Sequence, residues 1–268
     1  MNNRLTRLSR VFVVAITASL LLVNCGGGDE TTPRKKKPED KGTTPVTPEM
    51  AKDLAKIKGK VVFKGEPTKP ATISITGDSH CEKFHAAKSP IDEDLAILVN
   101  ADGTLQNAVV YVESAELAKK EYDPGSPVVL DQHGCRYVPH TFGIAVGQKL
   151  EITNSDDTMH NVHFFSDVNE KFNNTQQKGE LIEYTPAAKD VGRLKCDKHG
   201  WMKAWMIVLP HPFFGDTREK GTFEFAQGLP PGKYTFVLYH EVLSPKGEVK
   251  KDFEVKTGDN EIVFEVSK

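Results

Sequence analysis

An all-β fold is predicted by three features of this 268-residue sequence. Short runs rich in Val, Ile, Phe and Thr recur along it, turn-forming residues separate them, and helical periodicity is nearly absent. The first runs are GKVVFKG (59–65), ATISITG (71–77) and LAILVNADGTLQNAVVYVES (95–114). SPVVLDQHG (126–134), TFGIAVGQKLEITNSDD (141–157) and NVHFFS (161–166) follow. AWMIVLPH (204–211), GTFEFAQGLPPGKYTFVLYHEV (221–242) and VKKDFEVKTGDNEIVFEVSK (249–268) complete the series. Asp102-Gly103 and Pro231-Gly232 mark turns, the glycine supplying a positive φ and the proline a pre-set one. Only ESAELAKKEY (113–122) reads as helical, and no repeat recurs at a fixed period. The expectation is a β-sandwich or a pair of them.

The N-terminus reads differently. Arg4, Arg7 and Arg10 precede the apolar run VFVVAITASLLLV (11–23), which is short for a bilayer span and reads as an export signal. The following LVNC and GGGDE resemble the lipobox of bacterial lipoproteins, although Asn24 stands where a smaller residue is usual. That resemblance implies lipidation of Cys25, a membrane anchor and a location in the cell envelope facing the periplasm or exterior; Gly26 points to outer-membrane sorting. Residues 26–57, rich in Gly, Pro, Thr and charge, are expected to form a disordered tether, with a helical turn or two in PEMAKDLAKI (48–57). Folding is expected from 58 onward. With 35 basic and 37 acidic residues, nothing points to nucleic acid or to an anionic membrane surface as a partner.

The chemistry concentrates in KCDKHGWMKAWM (195–206). Cys196, His199 and Met202 form C-x2-H-x2-M, and His160 lies upstream in NSDDTMHNVHF (154–164), after the run KLEITN. Two imidazoles and a thiolate with a weak axial thioether are the donor set of a mononuclear blue-copper centre. One tight loop between strands can present the thiolate, one imidazole and the thioether, while the second imidazole arrives from a neighbouring strand. A lone C-x2-H would read as core packing, since a buried cysteine is usually a small hydrophobe. Here the upstream histidine, the methionine, the export signal and the β pattern agree.

From Ser126 to Pro210 the sequence resembles the cupredoxins, through VPHTFGIAVGQKLEITNSDDTMHNV (138–162) and the C-x2-H-x2-M loop. The short loop is similar to the plastocyanin/amicyanin-like members, although Gly200 replaces a proline. The resemblance implies a Greek-key sandwich holding one type 1 copper ion, with His160, Cys196 and His199 as equatorial ligands and Met202 as the axial one. It also implies that Asn161 ties the two ligand loops together. Met159 and Met206 are poorer axial choices, and Met206 is expected to pack inward. Zinc is the competing ion, but the loop offers no evident general base and zinc needs no methionine. A binuclear copper site would need a second cysteine in the loop.

Cys81 and Cys135 remain. An exported chain favours a disulfide between them. HCEKFH (80–85) and HGCRYVPH (133–140) leave open a second metal site built from His80, Cys81, His85, His133, Cys135 and His140. The absence of CxxCH argues against covalent haem. His163 is expected to be exposed or beside the site, and His240 to be a packing residue.

From Thr217 to Glu241, TREKGTFEFAQGLPPGKYTFVLYHE resembles the carboxypeptidase-regulatory-like, transthyretin-like sandwich, through Gly221, Phe223, Pro230, Pro231, Gly232 and Tyr234. KGKVVFKGEP (58–67) is similar to that family's opening strand. The implied organisation is a β segment at 58–125, a cupredoxin unit at 126–210 and a regulatory-like sandwich at 211–268. Either the halves of one module flank the cupredoxin unit, or the domains stand in tandem. The combination also resembles exported plastocyanin-like proteins labelled methylamine-utilisation-like. It implies an electron carrier with a redox protein partner and no enzymatic activity, exchanging electrons through His199 inside a patch of Trp201, Trp205, Phe213 and Phe214. The alternative is a copper-binding or structural lipoprotein without electron transfer.

Overall fold

The computed structural model describes residues 54–66, 73–87, 96–218 and 220–268, all within one compact unit, Gly42–Lys268. The export signal, Cys25 and most of the expected tether lie outside the described residues.

β1 (Ala55–Phe63) alternates buried and exposed side chains along its length. Ala55, Ile57, Val61 and Phe63 face inward while Lys56, Lys58 and Lys60 face solvent, the period of a half-buried strand. The fold therefore starts before the expected boundary at 58. The lysines that gave the segment its tether-like composition occupy one face of a strand. The expected helix at 113–122 is also corrected: only a 3-10 turn forms there, at Leu117–Lys119, after β2 (Val109–Glu113). A nine-residue helix, α1 (Ser79–Ala87), forms instead where no helical period was legible.

The middle of the chain builds two facing sheets. Their strands are β3 (Val128–Gln132), β4 (Tyr137–Val138), β5 (Thr141–Ala145), β6 (Leu150–Asn154), β7 (His160–Phe165), β8 (Phe172–Gln176), β9 (Leu181–Tyr184), β10 (Asp190–Lys195) and β11 (Lys203–Leu209). One sheet has the order β5-β11-β10-β7-β8 and the other β4-β3-β6-β9. Leu130, Phe142, Ile144, Ile152, Val162, Phe164, Leu194 and Val208 fill the space between them. Cys81 of α1 belongs to this same core, so residues 73–87 pack with the middle unit and the expected boundary at 126 divides what the fold joins.

The rest of the chain closes a second sandwich from β12 (Phe214–Asp216), β13 (Thr222–Glu224), β14 (Gly232–His240), β15 (Ser244–Val255) and β16 (Gly258–Val266), together with β1 and β2. Its sheets run β13-β1-β16 and β12-β2-β14-β15. β12 pairs with β2, Phe214 opposite Tyr111, although residues 114–213 intervene. The middle unit is thus inserted between two hydrogen-bonded strands of the flanking one. Val109, Ile207, Leu209 and Tyr239 form a small apolar cluster joining the two, with Trp205 and Phe214 packed on it.

Two glycines permit close approaches. A Cβ on Gly143 would lie 2.4 Å from the Phe214 ring, so the ring packs directly on the β5 backbone. On Gly59 it would meet Ile262 O at 1.9 Å and the Phe223 ring at 2.6 Å. A backbone atom of the adjacent strand cannot swing away, so Gly59→Ala is expected to lower stability by about 3 kcal/mol. The drop in urea midpoint at unchanged slope measures it.

His240, at the end of β14, is fully buried, and its Nδ1 accepts from the backbone N–H of Val242 and Leu243 at 3.3 Å. Burial lowers it from 6.5 to about 4, despite the nearby Glu241 carboxylate. The unfolded chain therefore binds a proton near pH 6.5 that the folded chain refuses until pH 4. Stability contributed by the neutral ring is full above that window and falls as pH drops through it, by about 3 kcal/mol. His240→Asn is expected to flatten that part of the stability–pH curve, measured by denaturant unfolding at pH 7, 5.5 and 4.5.

Candidate metal centre

Three elements converge at one edge of the five-stranded sheet. β7 and β10 are hydrogen-bonded neighbours, His163 opposite Lys195, so His160 at the start of β7 and Cys196 just past β10 share that edge. The turn from β10 to β11 is tied across itself: Cys196 N–H donates to Met202 O at 3.1 Å, and Met202 N–H to His199 O at 2.8 Å. That closure turns His199 back over the thiol and seats Met202 in the same core as Cys196.

His160 Nδ1 lies 2.8 Å from His199 Nδ1, and His199 Nδ1 lies 3.7 Å from Cys196 Sγ. One donor atom from each of the three residues falls within 4.8 Å of the others, and all three residues are buried. Two nitrogen lone pairs at 2.8 Å repel unless a proton or a cation lies between them. Burial alone would raise the Cys196 thiol, but hydrogen bonds from His160, His199 and the backbone lower it from 9.0 to about 6. At neutral pH the sulfur is mainly thiolate, the form that binds metal. The donor chemistry therefore fits a soft or borderline ion such as copper.

Asn161 closes the arrangement on the sulfur side. Its Oδ1 accepts from the N–H of Asp197 at 2.7 Å and of Lys198 at 3.3 Å and lies 3.3 Å from Cys196 Sγ, while Tyr137 donates its hydroxyl to Asn161 O at 2.6 Å. The two ligand loops are thus held in register by one side-chain oxygen.

Two carboxylates that sequence reasoning missed complete the surroundings. Asp156, buried, accepts from Gly134 N–H and Cys135 N–H at 2.7 Å and from His160 Nε2 at 2.9 Å. Burial opposes its charge, yet the hydrogen bonds from His160 and those two amides hold its carboxyl below the ordinary range. With Nε2 held by Asp156, His160 turns its Nδ1 toward Cys196 and His199. Asp78, at the N-terminus of α1, lies 3.4 Å from His199 Nε2. NSDD and GDSH read as ordinary turn polarity, and only the Asp-x-x-Cys start of α1 carries an N-cap signal.

No protein-family model and no curated protein matches this chain. Similar solved structures include a Cu-containing nitrite reductase from Thermus scotoductus SA-01, at 24% identity and TM-score 0.29 over 37% of this chain. They also include a purple cupredoxin from Nitrosopumilus maritimus, at 20% identity and TM-score 0.28 over 32% of this chain and 100% of that one. Amicyanin, as a mutant in its reduced Cu(I) form, aligns at 22% identity and TM-score 0.29 over 39% of this chain and 100% of its own. The chain spans 25% of the nitrite reductase's length.

The remaining expected residues divide. Cys81 and Cys135 are joined in a disulfide. His80 stands 3.5 Å from Asp156, His85 Nε2 bonds Gly134 O at 3.0 Å, and His133 meets the Phe84 ring edge. His140 lies elsewhere, against Glu241, so the six groups do not gather round one point. His163 is part-exposed and pairs with Asp197 at 3.0 Å; Met206 is buried, and Met159 is exposed.

The expected docking patch is corrected. His199 is only 1% exposed and presents no free edge. Trp201 packs on it, ring centroids 5.1 Å apart. Trp205 packs toward Tyr239, Phe213 is buried in the flanking core and Phe214 covers Gly143. Trp205 and Phe214 thus serve the joint between the sandwiches and Phe213 the flanking core, because Trp205 is the one aromatic residue of β11 and Phe213 and Phe214 follow after that strand has ended.

Proposed function

We propose that this protein is a mononuclear type 1 copper protein that carries single electrons between redox partners, anchored to the cell envelope through Cys25 and performing no substrate turnover of its own. The observation that carries the reading is the convergence of His160, His199 and Cys196, all buried, with one donor atom of each close to the others, while Met202 lies in the same core as Cys196. A copper ion held by such donors supplies reversible one-electron chemistry, because two imidazoles, a thiolate and a weak thioether suit both Cu(II) and Cu(I). The chain's own part is to hold the imidazoles through Asp156 and Asp78, to keep the sulfur ionised, and to exclude water. The flanking sandwich acts as support and spacer.

The test is an absorption titration of the chain from Gly26 onward with Cu(II), followed by reduction. An intense visible thiolate-to-copper band that saturates at one equivalent and bleaches reversibly supports the reading; weak colourless binding sinks it. A second reading, copper holding without electron transfer, is favoured by the burial of His199. Electron self-exchange measured by line broadening separates the two.

A further inference from the structure

The electron-carrier reading leaves unexplained why a helix and a disulfide stand over His199. We infer that Ile73–Ala87 is a cap pinned by Cys81–Cys135, and that Asp78 within it is a positioning residue that holds the distal nitrogen of His199 and closes the copper site. The inference rests on the copper reading.

Asp78 is the node of the cap. Its Oδ1 accepts from His80 N–H at 3.0 Å and Cys81 N–H at 3.3 Å, capping α1. Its Oδ2 accepts from Thr158 Oγ1 at 2.7 Å and Lys198 Nζ at 2.9 Å and faces His199 Nε2 at 3.4 Å. Thr158 precedes His160, and Lys198 lies between Cys196 and His199, so one carboxylate joins the cap to both ligand loops. One helical turn on, Cys81 Sγ lies 4.0 Å from His199 Nε2, and the bridge leads to Cys135, whose amide is held by Asp156. Trp201 Nε1 donates to Cys135 O at 3.0 Å and covers the remaining ring face.

Two consequences follow. An imidazole held at its distal nitrogen cannot rotate out of the site, so copper leaves slowly while the disulfide keeps the cap in place. A part-buried carboxylate behind the imidazole also makes it a stronger donor and favours Cu(II) over Cu(I). Breaking the disulfide with a dithiol, which takes two electrons and two protons to give two thiols, would free α1 from the Gly134–Cys135 loop and loosen both effects.

The experiment uses copper-loaded protein in three forms: unaltered, Asp78→Asn, and Cys81→Ser/Cys135→Ser. Asparagine still caps the helix through Oδ1 but places an amide NH2 where Oδ2 stood, so Asp78→Asn keeps the cap and removes the charge and the acceptor facing His199. Its Cu(II):Cu(I) affinity ratio is expected to fall about tenfold, a rise of about 59 mV in potential for a one-electron couple. The double serine variant is expected to lose Cu(I) to excess bicinchoninate at least about tenfold faster, as expected for an outer-shell group. A visible band in all three forms with potential and release rate unmoved overturns the cap and leaves the copper reading standing. No band in the unaltered protein overturns both. If the serine variant does not fold, the potential and the release rate of Asp78→Asn decide together.

Discussion

Replacing Cys196 by alanine is expected to abolish the visible copper band and to weaken Cu(II) binding by a factor of about a hundred or more. Losing an outer-shell group already costs about 10–100-fold, and this residue supplies the only anionic donor among the three buried ones. The fold should survive: Cys196 sits at a turn closed by backbone bonds from its own amide and from Met202, neither of which needs the sulfur. The cavity left by one sulfur costs about 1 kcal/mol. The loss is therefore chemical, and it is read by comparing the absorption spectrum and copper affinity with an unchanged far-UV dichroism spectrum. Cys196→Ser, with oxygen in place of sulfur, should give the same colourless result. An intense band persisting in either variant would mean that the band does not arise from Cys196 and would overturn the assignment of the centre.

That outcome bears on why this cluster could be found in the sequence while its surroundings could not. Cys196, His199 and Met202 lie within seven residues, so their spacing alone places them on one turn. His160 was legible because it begins an apolar strand after a polar turn. Asp78 and Asp156 were not, since each meets its imidazole only after α1 and the 155–159 loop fold back on the ligand edge. An aspartate in a turn looks the same whether it faces water or a buried nitrogen. The sandwiches were legible through period-two alternation. The start of β1 was hidden because alternating lysines raise local charge without changing the buried face, and α1 because its apolar content is low and a disulfide holds it down. The exposed docking edge failed for a related reason: nothing in the ligand loop reports that a segment more than a hundred residues upstream will cover it.

The joint between the sandwiches carries the second large expected effect. Glu241, buried just past β14, faces His140 Nε2 at 2.5 Å and accepts from Trp205 Nε1 at 2.9 Å and Lys203 Nζ at 3.3 Å. Burial would raise its carboxyl, but His140, Lys203 and Trp205 bring it down to about 2. Its charge is thus retained throughout the ordinary pH range, and its contribution to stability is lost only as pH falls from about 4.5 toward 2. Removing one partner of a buried pair leaves the others desolvated and uncompensated, so Glu241→Ala is expected to cost about 3–5 kcal/mol. Glu241→Gln, which keeps an acceptor for Trp205, should cost less. The effect should reach the proposed copper centre because Lys203 and Trp205 open β11 directly after Met202, and His140 Nδ1 also bonds Lys203 O at 3.0 Å. Denaturant unfolding with two probes, far-UV dichroism, which reads the strands of both sandwiches, and the visible band, tests this. Both transitions should move together to lower denaturant in Glu241→Ala. A loss of dichroism that precedes an unmoved band would mean that the flanking sandwich unfolds alone and that the inserted unit does not depend on it for its stability.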